Sequence, residues 1–300
     1  MLRPLLLLAA ACTLTILAGC GGGDDARPTV VATTTQAADL VGNVAGDRVA
    51  VRGVLAPNSD PHDYEVRPED VKALARADLV VRSGGEVDEW LGDAIESAGT
   101  GAPAIDLLDG VAPGSEDPHW WQDPRLAVRA TEAIRAALVK ADPAGEDAYG
   151  AGARAYARRL RALDAAVARC LGALPAAERK LVTTHDALGF YARRYGLEVI
   201  GTVIPSLSTQ AQASAGDLAE LVDTIRRERV RAIFAESSVD AKVEDAIAQE
   251  TGARVGRPLW ADTLGPPGSS GATYADSIRA NTAAIVEGLS AGTRSCALPR

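Results

Sequence analysis

The chain has 300 residues, a formal net charge of −9, and 47% hydrophobic but only 4% aromatic residues. That is enough apolar material for a sizeable core and enough length for two domains of ordinary size. No basic cluster interleaved with aromatics occurs, which argues against a nucleic-acid partner, and after the first twenty residues no apolar run is long enough to span a bilayer.

The chain opens with Met1-Leu2-Arg3, followed by an uncharged apolar run over residues 5–17 and the small-residue step Leu17-Ala18-Gly19-Cys20. This is the pattern of a secretory signal. The last four residues resemble a bacterial lipobox, which implies cleavage before Cys20 and lipidation of its thiol. An ordinary signal peptide cut nearby is the alternative. Residues 1–19 are therefore expected to be removed, and residues 20–27, with Gly21-Gly22-Gly23-Asp24-Asp25, to form a flexible tether. Losing the signal takes away one arginine and no acid, so the mature chain sits at −10. The expected location is extracytoplasmic, anchored to the membrane through Cys20. Of the remaining cysteines, Cys12 lies in the signal. Cys170 and Cys296 are a candidate disulfide in an exported protein, two free thiols being the alternative. Neither has a partner at metal-ligand spacing.

Beyond the tether, short β-rich runs alternate with helical patterns, the signature of parallel α/β units. Residues 29–33 read as a strand, 36–44 as a helix stopped by Gly46, and 49–54 as a second strand. A helix over 68–75 opens with Pro68, where the missing N–H costs nothing. Strands over 78–82 and 104–107 complete a set of four. The same order recurs later: a strand over 180–183, a helix over 187–195 ending at Gly196, and a strand over 198–203. A helix over 215–227, strands over 232–235 and 253–260, and a closing helix over 274–289 follow. Both halves carry a Thr-Thr step at the end of their first strand, Thr33-Thr34 and Thr183-Thr184. Between them, a helix starting at Asp123-Pro124 runs to about Lys140, and Asp142-Pro143 interrupts it. Residues 144–171 are rich in Ala, Arg and Leu, contain no proline, and predict a helix roughly 40 Å long. The predicted architecture is two similar α/β lobes with parallel four-stranded sheets, over residues 28–142 and 174–300. Residues 143–173 bridge them.

Three histidines are present, and two share the tripeptide Asp-Pro-His: Asp60-Pro61-His62 and Asp117-Pro118-His119. The third lies in Thr183-Thr184-His185-Asp186. Ligands of open parallel sheets bind beyond the carboxyl ends of the strands. His62, His119 and His185 all fall just past such ends, as does Asp262 in Trp260-Ala261-Asp262-Thr263-Leu264. Each has a bland reading as a solvated histidine or a turn aspartate. Together they form a set of three imidazoles and one carboxylate, which suits zinc in a tetrahedral site and admits manganese or cobalt. Glu236 competes with Asp262 as fourth ligand or supports the site from behind. Asp60, Asp117, Asp123 and Asp186 are candidate acceptors for the second nitrogen of a ligating imidazole.

The residues 57–65, Pro-Asn-Ser-Asp-Pro-His-Asp-Tyr-Glu, resemble the first metal motif of the zinc/manganese solute-binding proteins of ABC importers. Asp117-Pro118-His119-Trp120-Trp121-Gln122-Asp123-Pro124 resembles the second. Thr184-His185-Asp186-Ala187-Leu188-Gly189-Phe190-Tyr191-Ala192, followed by Tyr195-Gly196-Leu197, resembles the third. Residues 233–236 and Asp262-Thr263-Leu264-Gly265 match the remaining landmarks, so the similarity spans essentially the whole mature chain. It implies two lobes bridged by a long helix with the metal in the cleft, and a permease in the membrane as partner. Two departures stand out. Residues 108–116 lack the His-rich acidic loop of many zinc members, and His185 stands where manganese members tend to offer a carboxylate. The nitrogen donor favours zinc.

The resulting expectation is a monomeric, lipid-anchored protein that binds Zn2+ (Mn2+ being the alternative) through His62, His119, His185 and Asp262 and hands it to an ABC permease, with no chemistry on a substrate. Binding needs neutral imidazoles, so affinity is expected to fall steeply as pH drops below about 6.5. A zinc hydrolase is the rival from another class, since three ligands plus a labile position is a catalytic arrangement. A lipoprotein adhesin with a structural metal is a third reading. No glutamate stands at general-base spacing beside a ligand, and no Gly-x-Ser-x-Gly occurs, which counts against hydrolysis.

Overall fold

A computed structural model describes residues 27–299. The expected signal, Cys20 and all but the last residue of the tether lie outside the described residues. In the first half, β1 (Thr29–Ala32) leads through Thr34 into α1 (Thr35–Ala45), and β2 (Ala50–Gly53) follows. The Thr34 hydroxyl accepts the Ala37 N–H and so caps α1. After a loop without regular structure come α2 (Pro68–Leu74), β3 (Leu79–Arg82), α3 (Leu91–Ala98), β4 (Ala104–Asp106) and the short α4 (Leu107–Val111). The four strands form one parallel sheet in the order β2-β1-β3-β4. Val30, Val31, Val80 and Val81 are buried on its two faces, the near-continuous apolar pattern of a doubly covered parallel sheet.

Two long helices follow, α5 (Pro124–Ala141) and α6 (Glu146–Gly172). Asp123 caps α5 by accepting the Arg125 N–H, with Pro124 in the first position. The break before α6 is held by Asp142, which accepts from the Tyr149 hydroxyl and pairs with Arg48.

The second half contains β5 (Lys180–Thr183), α7 (Gly189–Tyr195), β6 (Glu198–Thr202), α8 (Ala215–Glu228), β7 (Ala232–Ile233), α9 (Lys242–Thr251), β8 (Arg254–Val255) and α10 (Tyr274–Leu289). Its strands pair as two parallel ladders, β5 with β6 and β7 with β8. A bridge between Thr183 and Phe234 joins them, and the Phe234 N–H donates to the Val182 carbonyl at 2.9 Å. The strands thus lie in the order β6-β5-β7-β8, the first half's arrangement repeated with a single bridge between β5 and β7 and a two-residue ladder between β7 and β8.

The strand predicted over 253–260 is regular only at Arg254–Val255, and pairing resumes at the Glu236–Leu259 bridge. Gly256 lies so close to the Phe234 ring that a Cβ there would come within 2.9 Å of it. Pro258 has no N–H to offer a ladder. Three short helices, α3, α4 and α9, add to the expected elements. Each spans ten residues or fewer.

α6 is the common wall of the two halves, packing against α1 and α5 on one side and α7 and α10 on the other. Polar ties reinforce this. Half-buried Asp39 of α1 accepts from the Tyr156 hydroxyl of α6 at 3.0 Å and from the Tyr274 N–H of α10 at 3.3 Å. Asp164 of α6 takes a two-pronged contact from Arg194 of α7 at 2.8 and 2.6 Å, the stronger geometry for such a pair. Cys170, near the end of α6, is disulfide-bonded to Cys296, with 5.8 Å between their Cα atoms.

The bridge joins residues 126 positions apart in the chain. Replacing both cysteines by serine is expected to lower the unfolding free energy by about 2–5 kcal/mol, read by urea denaturation, with metal affinity unchanged.

Candidate metal centre

Local chemistry in the two Asp-Pro-His motifs presents each histidine. Asp60 Oδ1 accepts the His62 N–H at 2.9 Å, and Asp117 Oδ1 accepts the His119 N–H at 3.0 Å. These are Asx turns, in which the aspartate side chain holds the backbone two residues on and the proline between fixes φ. His185 is set differently. Its N–H donates to Glu236 Oε1 at 3.2 Å, and its carbonyl accepts from the Thr183 hydroxyl at 2.9 Å.

Asp262 is gripped through its neighbours. The Ala261 carbonyl accepts from Trp121 Nε1 at 2.8 Å and from Gln122 Nε2 at 2.7 Å. Asn281 of α10 holds both backbone polar groups of Trp260 at 2.8 Å. The Leu264 N–H donates to the Thr35 hydroxyl at 2.8 Å. Strands of both halves thereby aim their loops at one point.

His62, His119, His185 and Asp262 each offer one ligand atom, and these atoms lie within 4.8 Å of one another. Asp262 is central. Its Oδ2 lies 3.4 Å from His62 Nε2 and 3.2 Å from His185 Nε2, and its Oδ1 lies 3.4 Å from His119 Nε2. The four side chains are almost wholly buried, at 0 or 1% exposure. Three of the atoms facing the centre, His62 Nε2 and both Asp262 oxygens, have no hydrogen-bond partner among the described residues. A buried carboxylate without partners costs several kcal/mol. The donor set is complete for a divalent cation.

Behind each imidazole stands a carboxylate. Asp117 Oδ1 lies 2.9 Å from His119 Nδ1, and Glu236 Oε1 lies 2.6 Å from His185 Nδ1. Glu86 Oε1 lies 3.6 Å from His62 Nδ1. Such partners fix the tautomer and leave Nε2 free for a metal. Glu236 thus stands behind His185, and Asp262 faces the centre. Glu86 was missed in the sequence, where the only hint is a Gly-Gly-Glu step just after a strand. Three other candidates stand apart from the imidazoles. Asp60 holds the His62 backbone and accepts from the Thr209 hydroxyl at 2.7 Å. The Asp123 carboxylate is engaged by Arg125 at the start of α5. Asp186 lines a surface groove with Gly189 and Arg193.

The charges of the set are strongly coupled. Burial would lower the His185 pKa, but the Asp262 and Glu236 carboxylates reverse that and raise it to about 11. Burial would raise Asp262, yet the His185 and His119 imidazoles hold it well below the carboxylate range. Burial raises Glu236, opposed by His185.

Two parallel α/β halves on a common helix, with a buried donor set gathered from both, define a metal-binding solute-binding protein. Residues 30–288 match the ZnuA family, described as zinc-uptake complex component A, periplasmic, and the chain belongs to it. It is 34% identical to the zinc-binding protein TroA of Treponema pallidum, over 88% of this chain and 90% of that protein. It is 32% identical to the manganese-binding lipoprotein MntA of Bacillus subtilis, over 94% and 98%. It is 30% identical to the iron-binding protein YfeA of Yersinia pestis, over 86% and 85%. The solved TroA structure superposes with a TM-score of 0.82 at 32% identity, over 88% of this chain and 99% of that one. The chain is therefore a solute-binding protein rather than an enzyme, and the hydrolase reading falls away. Relatives named for three different metals do not select one for this chain.

In the metal-free protein, His185 is expected to stay protonated through pH 8, read from its ring nitrogens by NMR. Its folded pKa is raised, so the stability it contributes is complete below the unfolded value near 6.5. That stability is lost as pH rises through about 11. Asp262→Asn removes one of the two carboxylate charges that raise the His185 pKa and should bring the titration down toward the ordinary histidine range.

Proposed function

We propose that this protein captures Zn2+ outside the cytoplasm through His62, His119, His185 and Asp262 and delivers it to an ABC permease. The observation that carries this reading is the convergence of three imidazole nitrogens on one buried carboxylate without other partners. Three nitrogens and one oxygen suit a borderline ion in tetrahedral geometry better than a hard ion that prefers oxygen. Glu236 engaged with His185 supports Asp262 as fourth ligand, and manganese is the competing cargo.

The chain is read as a monomer with a cleaved signal over residues 1–19 and a lipidated Cys20. Its tether covers residues 20–27, its lobes residues 28–142 and 174–300, and its bridging segment residues 143–173. The lipoprotein pattern around Cys20 supports anchoring at the outer face of the membrane, where a permease would take the ion.

Competitive titration is expected to give a zinc Kd of about nanomolar order, with manganese bound more weakly. His119→Ala removes a direct ligand and should cost more than the 10–100-fold that follows loss of a ligand's supporting partner. Equal affinity in the mutant and the parent overturns the ligand set.

Zinc must displace the His185 proton. With that pKa near 11 in the empty protein, affinity should rise about tenfold per pH unit through neutrality rather than level off above 6.5. Calorimetry at pH 7.5 in buffers of different ionisation enthalpy reads the proton released. A binding enthalpy independent of buffer contradicts the proton displacement.

A further inference from the structure

We propose that Glu86 is the positioning residue for His62 and that this pair sets the rate at which the bound ion leaves. The inference rests on the reading of His62 as a ligand. Of the three imidazoles, two are backed at hydrogen-bond distance by Asp117 and Glu236, at 2.9 and 2.6 Å. Among the described residues, His62 is backed by Glu86 alone, at 3.6 Å and with the glutamate side chain 41% exposed.

The placement of Glu86 is built rather than incidental. It lies on a short turn, Gly85–Asp88, entered through Gly84 and Gly85 at φ 93° and 73°, which only glycine adopts readily. A Cβ at Gly84 would strike Asp106, and one at Gly85 would come within 2.8 Å of Pro118 in the second Asp-Pro-His motif. Asp88 nails the turn from below. Its carboxylate is wholly buried, accepts from the Thr33 hydroxyl at 2.7 Å and from the Gly84 N–H, and pairs with Arg82. The Ser83 carbonyl accepts from Trp120 Nε1 at 3.0 Å. A rigid turn therefore holds the root of Glu86 beside His62 while its carboxylate remains at the solvent edge.

His62 also stands on a loop without regular structure between β2 and α2. Its imidazole is the one whose Nε2 has no hydrogen-bond partner among the described residues. The least supported ligand is the one whose departure opens the coordination shell. Strengthening or removing its support should thus act on dissociation first.

The experiment uses the full mature chain loaded with zinc and chased with excess chelator in stopped flow, with Kd from competition titration. Glu86→Ala is expected to speed zinc release about tenfold or more, within the range for loss of a ligand's carboxylate partner. E86Q, whose amide oxygen can still accept from Nδ1–H, should recover part of that loss. In a His62→Ala background, Glu86→Ala should add nothing. Wild-type release from both Glu86 variants overturns the proposal, as does an equal effect of Glu86→Ala with and without His62, which would mark a merely structural role. If His62→Ala binds zinc as tightly as the parent, the ligand reading beneath the proposal fails, and the proposal with it.

Discussion

The structure turns on the burial of one carboxylate. Asp262 is taken out of water and placed against three imidazole edges 3.2–3.4 Å away, with neither oxygen in a formed hydrogen bond among the described residues. An isolated ionised carboxylate in such a place is among the most expensive groups a protein can bury. What offsets that cost is the His185 imidazole 3.2 Å away, whose protonated form the Asp262 charge favours, and a divalent ion would be a stronger partner still. Every other polar arrangement nearby serves to keep these groups from relaxing apart. The hold of Trp121 and Gln122 on Ala261, and of Asn281 on Trp260, prevents Asp262 from swinging out to solvent.

The same constraint accounts for the carboxylates set behind the ring nitrogens. An imidazole has two nitrogens, and one that binds at Nε2 must hold its proton at Nδ1. Asp117 and Glu236 impose that tautomer at close range. Asp117 does so with the atom that also receives the His119 N–H, so one oxygen orients both backbone and ring. Glu236 performs the same double duty for His185 across two strands. Two unrelated pieces of local geometry, a turn and a sheet, converge on the same chemical device.

Much of this was legible in the sequence, for identifiable reasons. Scarce histidines in repeated Asp-Pro-His turns and positions just beyond predicted strands are local signals, and all three histidines meet Asp262 in space. The alternation of strands and helices was also readable, because buried parallel strands are runs of Val, Ile and Leu and the long helices are runs of helix-forming residues without an internal proline. The remainder was hidden by distance. Glu86 is separated from His62 by a helix and a strand, and nothing in its immediate sequence names its partner. Asp123 and Asp186 looked like supports because they adjoin the motifs. Adjacency along the chain says little about direction: Asp123 turns to cap α5, and Asp186 faces a groove. The strand over 253–260 comes out shorter because, although the Gly256 N–H still donates to the Ile233 carbonyl at 2.8 Å, Pro258 has no N–H to carry the ladder on.

α6 has a further consequence. It is an unbroken rod of 27 residues with no proline at which to kink. It is packed against α1 and α5 from one half and α7 and α10 from the other. A spine packed against both halves resists the wide clamshell swing by which a hinged binding protein advertises that it is full. The filled and empty molecules should therefore present nearly the same silhouette. A transporter waiting at the membrane would have to tell them apart by the tension of a few loops at the mouth of the cleft rather than by shape.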